Sequence, residues 1–275
     1  MKRYEYGVPE RIPVSNFEER FKTAVRENFD ASVEHYERFE EKHQLFENLT
    51  NKLIELMGGE GSVARVLDVG CGTGISTYCL FKFFGKNCTY YALDISQNML
   101  DIAKNKYSNL GNFIFINGDA ENLKDYFMET FDAIFYTASL FLLPEFKKSL
   151  QDALSLLNDN GKIGISFYAG LSDMSGKDLI KKNYPDFSYR YGAFTIFELT
   201  KFLKSKKIKN FTTDFLFPVD KGFLTDFLTI PAQSAGLFPR QSFSKQFSLV
   251  KEFIDDLYMF EKEVFMKWAF IIISK

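Results

Sequence analysis

The chain has 275 residues, a length that fits one large domain or one domain with a sizeable insertion. Hydrophobic residues make up 46% of it, as in a globular protein, and 34 basic against 36 acidic residues leave a net charge of −2, which excludes a global basic field for DNA or RNA. Three cysteines, Cys71, Cys79 and Cys88, follow no framework spacing, which argues against a disulfide-stapled secreted fold and points to a reducing, cytoplasmic setting.

Taken in chain order, residues 1–14 read as an extended arm, charged and interrupted by proline, and not as a signal peptide. Residues 15–57 read as helical. Phe29, Val33, Tyr36, Phe39, Phe46, Leu49, Leu53 and Leu56 recur on one stripe, with a break near Asn28–Asp30 that Asp30 could cap and an end at Gly58-Gly59. Strands and helices then alternate. Strands are predicted at Val63–Val69, Cys88–Asp94, Asn112–Asn117, Phe131–Thr137 and Lys162–Tyr168, and helices at Ile75–Phe84, Gln97–Tyr107, Ala120–Phe127 and Glu145–Leu157. Asn158-Asp159-Asn160-Gly161 predicts a turn before the fifth strand. This rhythm implies an α/β fold with a mostly parallel sheet covered on both faces.

After Tyr168 the rhythm changes. Residues 169–194 read as a loop, Thr195–Lys207 as a helix with a Thr195/Glu198 capping box, Phe211–Val219 as a sixth strand and Val264–Ser274 as a seventh. Between the last two, Leu228–Pro239 is apolar yet punctuated by proline and glycine. It suits a loop that either walls a pocket, with Phe238 as its candidate contact, or covers the core. The apolar run Trp268–Ile273 is too short to span a membrane, and no Cys/His set has metal-ligand spacing. Aromatic content of 17%, including 32 Phe, fits a Phe-rich core or a lipophilic pocket.

The densest signal is Val66-Leu67-Asp68-Val69-Gly70-Cys71-Gly72-Thr73-Gly74: an apolar strand, an acid, a glycine turn, then a helix. Such a turn lets a ligand approach main-chain atoms closely and meet the free N–H groups of the helix that follows. A dinucleotide fingerprint, G-x-G-x-x-G, would place its third glycine where Ile75 stands. Asp94 ends the second strand 20 residues past Gly74, the spacing of a ribose-binding acid, unless it serves as a helix cap, a role open to Ser96. Ile95 and Met99 would flank a base or pack in the core. Thr137, Ala138 and Ser139 end the fourth strand, where ligands of such sheets bind.

The pattern Asp-x-Gly-x-Gly-x-Gly at 68–74 resembles the first motif of class I S-adenosylmethionine-dependent methyltransferases, many of which carry a cysteine where Cys71 stands. The resemblance implies a Rossmann-like seven-stranded mostly parallel sheet with its last strand antiparallel, an N-terminal helical lid over residues 1–57, a cofactor domain over 58–275 and a substrate-side insertion at 220–262. It implies S-adenosylmethionine as cofactor, bound by Asp68, Gly70, Cys71, Gly72, Thr73, Gly74, Asp94, Ile95, Met99, Asp119, Ala120 and Thr137. Asp68 would meet the ammonium of the methionine tail. Gly118-Asp119-Ala120 is also similar to the family, where the acid accepts from the adenine amino group and the next N–H meets a ring nitrogen. Residues 28–36 resemble the start of ubiquinone, menaquinone and malonyl-carrier methyltransferases, which makes Tyr36 a lid residue or a packing residue. Phe141 and Phe238 join it as candidate acceptor contacts.

Thr137-Ala138-Ser139-Leu140-Phe141 departs from the Asn-Pro-Pro-Tyr type that grips exocyclic amines, so DNA is not an expected partner. The expected acceptor is a small, apolar or aromatic molecule, and the oligomeric state is not legible. Methyl transfer needs little acid–base equipment. His35, His43, Tyr36, Tyr136 and Tyr168 are base candidates, though packing accounts for each. An RNA (tRNA) methyltransferase, an aminopropyl transferase and a non-catalytic partner subunit share this core. The first would add a basic face or RNA module, the second acidic groups for a polyamine, and the third has no need of Asp68, Asp94 and Asp119 together.

Overall fold

The computed structural model describes residues 17–58, 63–184 and 192–275; the expected arm at 1–14 and Gly59 lie outside them. The N-terminal region forms α1 (Phe17–Asp30), α2 (Val33–His43) and α3 (Leu45–Met57). The chain breaks here twice, where the sequence suggested one break. At the first, Asp30 does not cap α2. Its carboxylate instead accepts from the Ser96 hydroxyl at 2.5 Å and the Asn98 N–H at 3.3 Å, joining α1 to the sheet. The second break is at Gln44, whose φ of 51° is left-handed. The buried Glu40 carboxylate turns forward to accept from the N–H groups of Phe46 (3.0 Å) and Glu47 (2.8 Å), so a residue inside α2 caps α3.

Strands β1 (Arg65–Val69), β2 (Thr89–Asp94), β3 (Asn112–Asn117), β4 (Phe131–Thr137) and β5 (Leu157–Ser172) run parallel, with β6 (Asn210–Val219) and β7 (Val264–Ser274) completing one sheet. Its order is β3-β2-β1-β4-β5-β7-β6, and β7 is antiparallel to both neighbours, as the resemblance implied. The fold is Rossmann-like. Strand order reverses between β1 and β4, which opens a crevice beyond their carboxyl ends. Helices α4 (Ile75–Phe84), α5 (Gln97–Tyr107), α6 (Leu123–Tyr126) and α7 (Phe146–Ser155) connect the parallel strands, with a single 3₁₀ turn at Ala120–Asn122 before α6.

Two expectations need correction. The Asn158–Gly161 run is no free-standing turn but part of β5. Phe131 pairs with Leu157 and Ala133 with Lys162, so four residues bulge out opposite one, and Asn158 donates to the Asp132 carboxylate across the bulge. The stretch Leu228–Pro239 is no loop: the segment 220–262 folds as α10 (Lys221–Leu228), α11 (Pro231–Leu237) and α12 (Phe243–Phe260), and α11 takes up most of that stretch. Pro231 does not prevent α11 because it sits in the first turn, where its missing N–H costs nothing. Between β5 and β6 lie α8 (Leu179–Asn183) and α9 (Ile196–Ser205), and the Thr195/Glu198 capping box of α9 is formed.

Helix α3 is the best-buried of the N-terminal three. Leu45, Phe46, Leu49, Leu53, Ile54 and Met57 face the sheet, and a Cβ placed on Gly164 of β5 would lie 2.6 Å from Met57 Sδ, so α3 packs directly on strand backbone. Leu53→Ala is expected to cost about 2–5 kcal/mol by urea unfolding. Met128→Ala, at a side chain that is 98% exposed, should leave the midpoint unchanged.

Candidate functional site

The carboxyl ends of β1–β4 open into a cavity of about 1040 Å³, counting its mouth. One end is lined by Gly70, Gly72, Asp94, Ile95, Gly118, Asp119, Ala120 and Thr137, and the other by Tyr36, Phe46, Phe141, Phe227, Gln233 and Trp268. Thus the cavity brings together Gly70, Gly72, Asp94, Ile95, Asp119, Ala120, Thr137, Tyr36 and Phe141 from the sequence-predicted set. Asp68, Cys71, Thr73, Gly74, Met99 and Phe238 do not line it.

The three turn glycines all have left-handed backbone, with φ of 76° at Gly70, 55° at Gly72 and 87° at Gly74, for different reasons. A Cβ on Gly70 would lie 2.5 Å from Ser139 Cβ, so this glycine admits the β4 turn. One on Gly74 would lie 2.9 Å from both Ala103 and Tyr107, so that glycine lets α4 meet α5. Only at Gly72, which lines the cavity, would a Cβ meet nothing within 4 Å. Cys71 packs with Ala92 and Leu100 behind the turn, and burial pushes its thiol well above the ordinary range. Met99 is fully buried under the β2–α5 turn and Phe238 is buried beneath α12. On the same apolar segment Ala232 and Gln233 line the cavity instead.

The Asp94 side chain bridges two turns. One oxygen accepts from the Gly72 N–H at 2.8 Å and the other from the Ser96 N–H at 2.8 Å. Ser96 takes the capping role, accepting from Met99 N–H, so Asp94 is free of it. Burial raises the Asp94 pKa against these two bonds. Asp119 caps the 3₁₀ turn through Glu121 N–H at 2.9 Å and also accepts from Lys22 of α1 at 2.8 Å. Lys22 pairs with the buried Glu121 as well. Burial pulls the Lys22 pKa down, but its bonds to the two carboxylates prevail and raise it. This ion pair has no local sequence signal, since its partners lie 97 and 99 positions away.

Asp68 sits wholly buried two residues before Gly70. Its Oδ2 accepts from the Ser76 and Thr77 hydroxyls, each at 2.6 Å, while Oδ1 has no partner among the described residues. Burial lifts its pKa to about 6 against those two bonds. The Thr137 hydroxyl, on the cavity wall, is likewise buried without a partner. Two unsatisfied polar atoms flanking one turn are the mark of a site shaped for a polar ligand. Ala138 next to them holds a φ of 54°, a strained value for alanine, and donates its N–H to Ser166 Oγ.

Of the base candidates only Tyr36 reaches the cavity, stacked on Phe46 at 4.6 Å between ring centres. His43 is bound to Asp226 at 2.9 Å, Tyr136 donates into α7 at Ser149, and burial raises its pKa against that bond. His35 packs edge-on against Phe243, and Tyr168 packs under Trp268. Among the described residues no cluster of His, Cys, Asp or Glu could hold a metal, and no helix is long and apolar enough to cross a membrane.

Sheet order, reversed last strand and a cavity at the β1/β4 crevice define a Rossmann-like transferase fold. The family model described as "Methyltransferase domain" matches residues 60–207, more than half of the chain, and the chain belongs to that family. It is 26% identical over 200 residues to malonyl-[acyl-carrier protein] O-methyltransferase 1 of Ilyobacter polytropus, covering 73% of this chain and 72% of that one. It is 29% identical over 123 residues to the demethylmenaquinone methyltransferase of Staphylococcus haemolyticus, covering 45% and 49%. A solved phosphoethanolamine N-methyltransferase 2 of Haemonchus contortus, in complex with S-adenosyl-L-methionine, shares the fold with a TM-score of 0.58 and 16% identity over 91% of this chain and 60% of that one.

The pH dependence of stability follows from Asp68. Its folded pKa lies above the unfolded value near 3.8, so the native state holds a proton longer than the unfolded chain does. Its contribution is full below about pH 4 and is lost as pH rises through about 6, a span of up to about 3 kcal/mol. Asp68→Asn keeps an oxygen for Ser76 and Thr77. The difference between the two proteins' urea-unfolding profiles should fall across that window and flatten above it.

Proposed function

We propose that this chain transfers a methyl group from S-adenosylmethionine to a small, apolar or aromatic acceptor at the β4–β5–β7 end of the cavity. The observation that carries the reading is the opening of the glycine turn at Gly72 directly onto a cavity that also holds the carboxylates ending β2 and the β3 turn. When bound, the cofactor supplies a methyl group already activated on a positively charged sulfur.

Its parts match the groups on hand. Each Asp94 oxygen keeps a lone pair beyond its bond to Gly72 or Ser96, which suits the two ribose hydroxyls. Asp119, with the Ala120 N–H beside it, suits the edge of adenine, and Ile95 supplies an apolar flank. The orphaned Thr137 hydroxyl on the cavity wall suits the polar methionine tail, while Asp68 lies behind the turn and holds Ser76 and Thr77. Cys71, Thr73, Gly74 and Met99 act from behind by shaping the turn.

The remaining task is to align the acceptor and exclude water. Val25, Phe29 and Tyr36 from α1 and α2 close one side of the cavity with apolar surface. Lys22 and Asp30 tie α1 to the β3 and β2 turns. The insertion helices form another wall, so acceptor choice falls to segments that the shared core does not supply. The names of the relatives span a carrier-bound malonyl group and a quinone, which supports a small-molecule acceptor of some kind.

S-adenosylhomocysteine is expected to raise the melting temperature in a saturable way, with NAD giving no shift. Asp94→Asn turns one acceptor oxygen into a donor and should weaken that binding by about tenfold or more. No stabilisation by either sulfur nucleoside would contradict the reading.

A further inference from the structure

Trp268 is the only tryptophan in the chain, lies on β7 and is 1% exposed, yet it lines the cavity. Its indole Nε1 has no hydrogen-bond partner among the described residues. An indole nitrogen can only donate, and folded proteins seldom leave such a donor buried and unmet. The ring cannot readily turn to find one. It packs against Tyr168 at 5.4 Å and Phe141 at 6.4 Å between ring centres, and its backbone is paired on both sides, to Tyr168 in β5 and Phe215 in β6.

Its place in the sheet sets it apart from the proposed cofactor groups. Those sit at the ends of β1 to β4, whereas β7 lies two strands past β4, beyond β5. A second polar group lines the same cavity. Gln233 of α11 is 5% exposed and lines the cavity, and its side-chain amide makes no hydrogen bond among the described residues. Helix α11 is itself fixed, because the Ala232 N–H donates to Ser32 Oγ at the head of α2 at 2.9 Å. The surroundings are otherwise aromatic or aliphatic: Tyr36, Phe46, Phe141, Leu142 and Phe227.

We propose that Trp268, with Gln233 on the wall of the same cavity, determines specificity for the acceptor, and that the indole N–H grips a neutral oxygen, of the carbonyl type, borne on a flat apolar body. This rests on the methyltransferase reading and adds the chemistry by which the acceptor is chosen. The indole selects for an oxygen with a free lone pair, because a hydrocarbon of the same shape leaves the donor buried and unmet. The aromatic walls supply the affinity that does not discriminate. Gln233 offers both an amide donor and an acceptor oxygen, so it accommodates a second polar group on the same molecule.

The single tryptophan makes the test direct, since ¹⁵N-labelled protein gives one indole N–H signal. The full chain is first saturated with S-adenosylhomocysteine, followed by its own thermal shift. It is then titrated with 2-acetylnaphthalene and, separately, with 2-isopropenylnaphthalene, in which a CH₂ group replaces the carbonyl oxygen. The ketone should move the indole proton downfield and bind about tenfold more tightly than the hydrocarbon. In Trp268→Phe that preference should vanish while S-adenosylhomocysteine binding is retained. Gln233→Met tests the neighbouring group without disturbing the sheet, and it should leave the downfield shift of the indole in place. Equal affinities for the two probes, an indole signal that stays put with ketone bound, or no ketone binding to the saturated protein would each overturn the proposal. Failure to bind S-adenosylhomocysteine at all strikes the methyltransferase reading instead, so the two failures are distinguishable.

Discussion

The carboxylate of Asp94 takes the N–H of Gly72 on one oxygen and the N–H of Ser96 on the other. Those two bonds tie the glycine turn after β1 to the turn after β2, across the reach of the whole cofactor end of the cavity. The carboxylate is buried, and leaving either donor unmet would cost about 1–3 kcal/mol, so the two turns hold their shape together. The turn shape in turn fixes what stands around it. Gly70 gives way to Ser139, Gly74 to α5, and only at Gly72 of the three would a Cβ meet open space. A ligand approaching Gly72 meets backbone already set in place, which is the condition for close binding without reorganisation.

The position of α1 depends on the same turns. Helix α1 buries no side chain completely, so apolar packing alone does not account for its position. It is held by polar bonds at two places, Lys22 on Asp119 and Glu121, and Asp30 on Ser96 and Asn98. Ser96 donates its N–H to Asp94 and its hydroxyl to Asp30, so the chain of contacts runs unbroken from the glycine turn to α1. Partly buried ion pairs of this kind are weakened by salt less than exposed ones but still depend on it, whereas α3, buried on β5, does not rely on them. The N-terminal region therefore has a firm part on the sheet and a polar-latched part over the cavity.

Much of this was legible in the sequence. The strands β1 to β4, helices α4 and α5, and the reversed last strand lie within a residue or two of expectation, because apolar runs bounded by glycine, acid or serine set their limits. The acids at the strand ends were legible for the same reason, since the parallel order brings every strand's carboxyl end to one side. What was not legible came from long-range contact or local compensation. Lys22 binds acids far along the chain, and Glu40 caps the next helix from within its own. The Asn158–Gly161 run reads as a turn, yet a bulge absorbs it within β5. Phe238 looked like the cavity contact of its segment. Once Pro231 starts a helix, the faces of that helix decide the matter, and Gln233 is brought to the cavity instead.

The cavity wall away from the glycine turn is largely aromatic and is supplied by segments outside the shared core, and we propose that a small molecule is methylated there. Incubation of the full chain with S-adenosylmethionine labelled in its methyl group and a small-molecule extract, followed by solvent partition, measures this directly. The account predicts label in an organic-soluble product, with none in nucleic acid and none when S-adenosylhomocysteine is in excess. Label confined to RNA or protein, or no transfer by a protein that binds the cofactor, would contradict it.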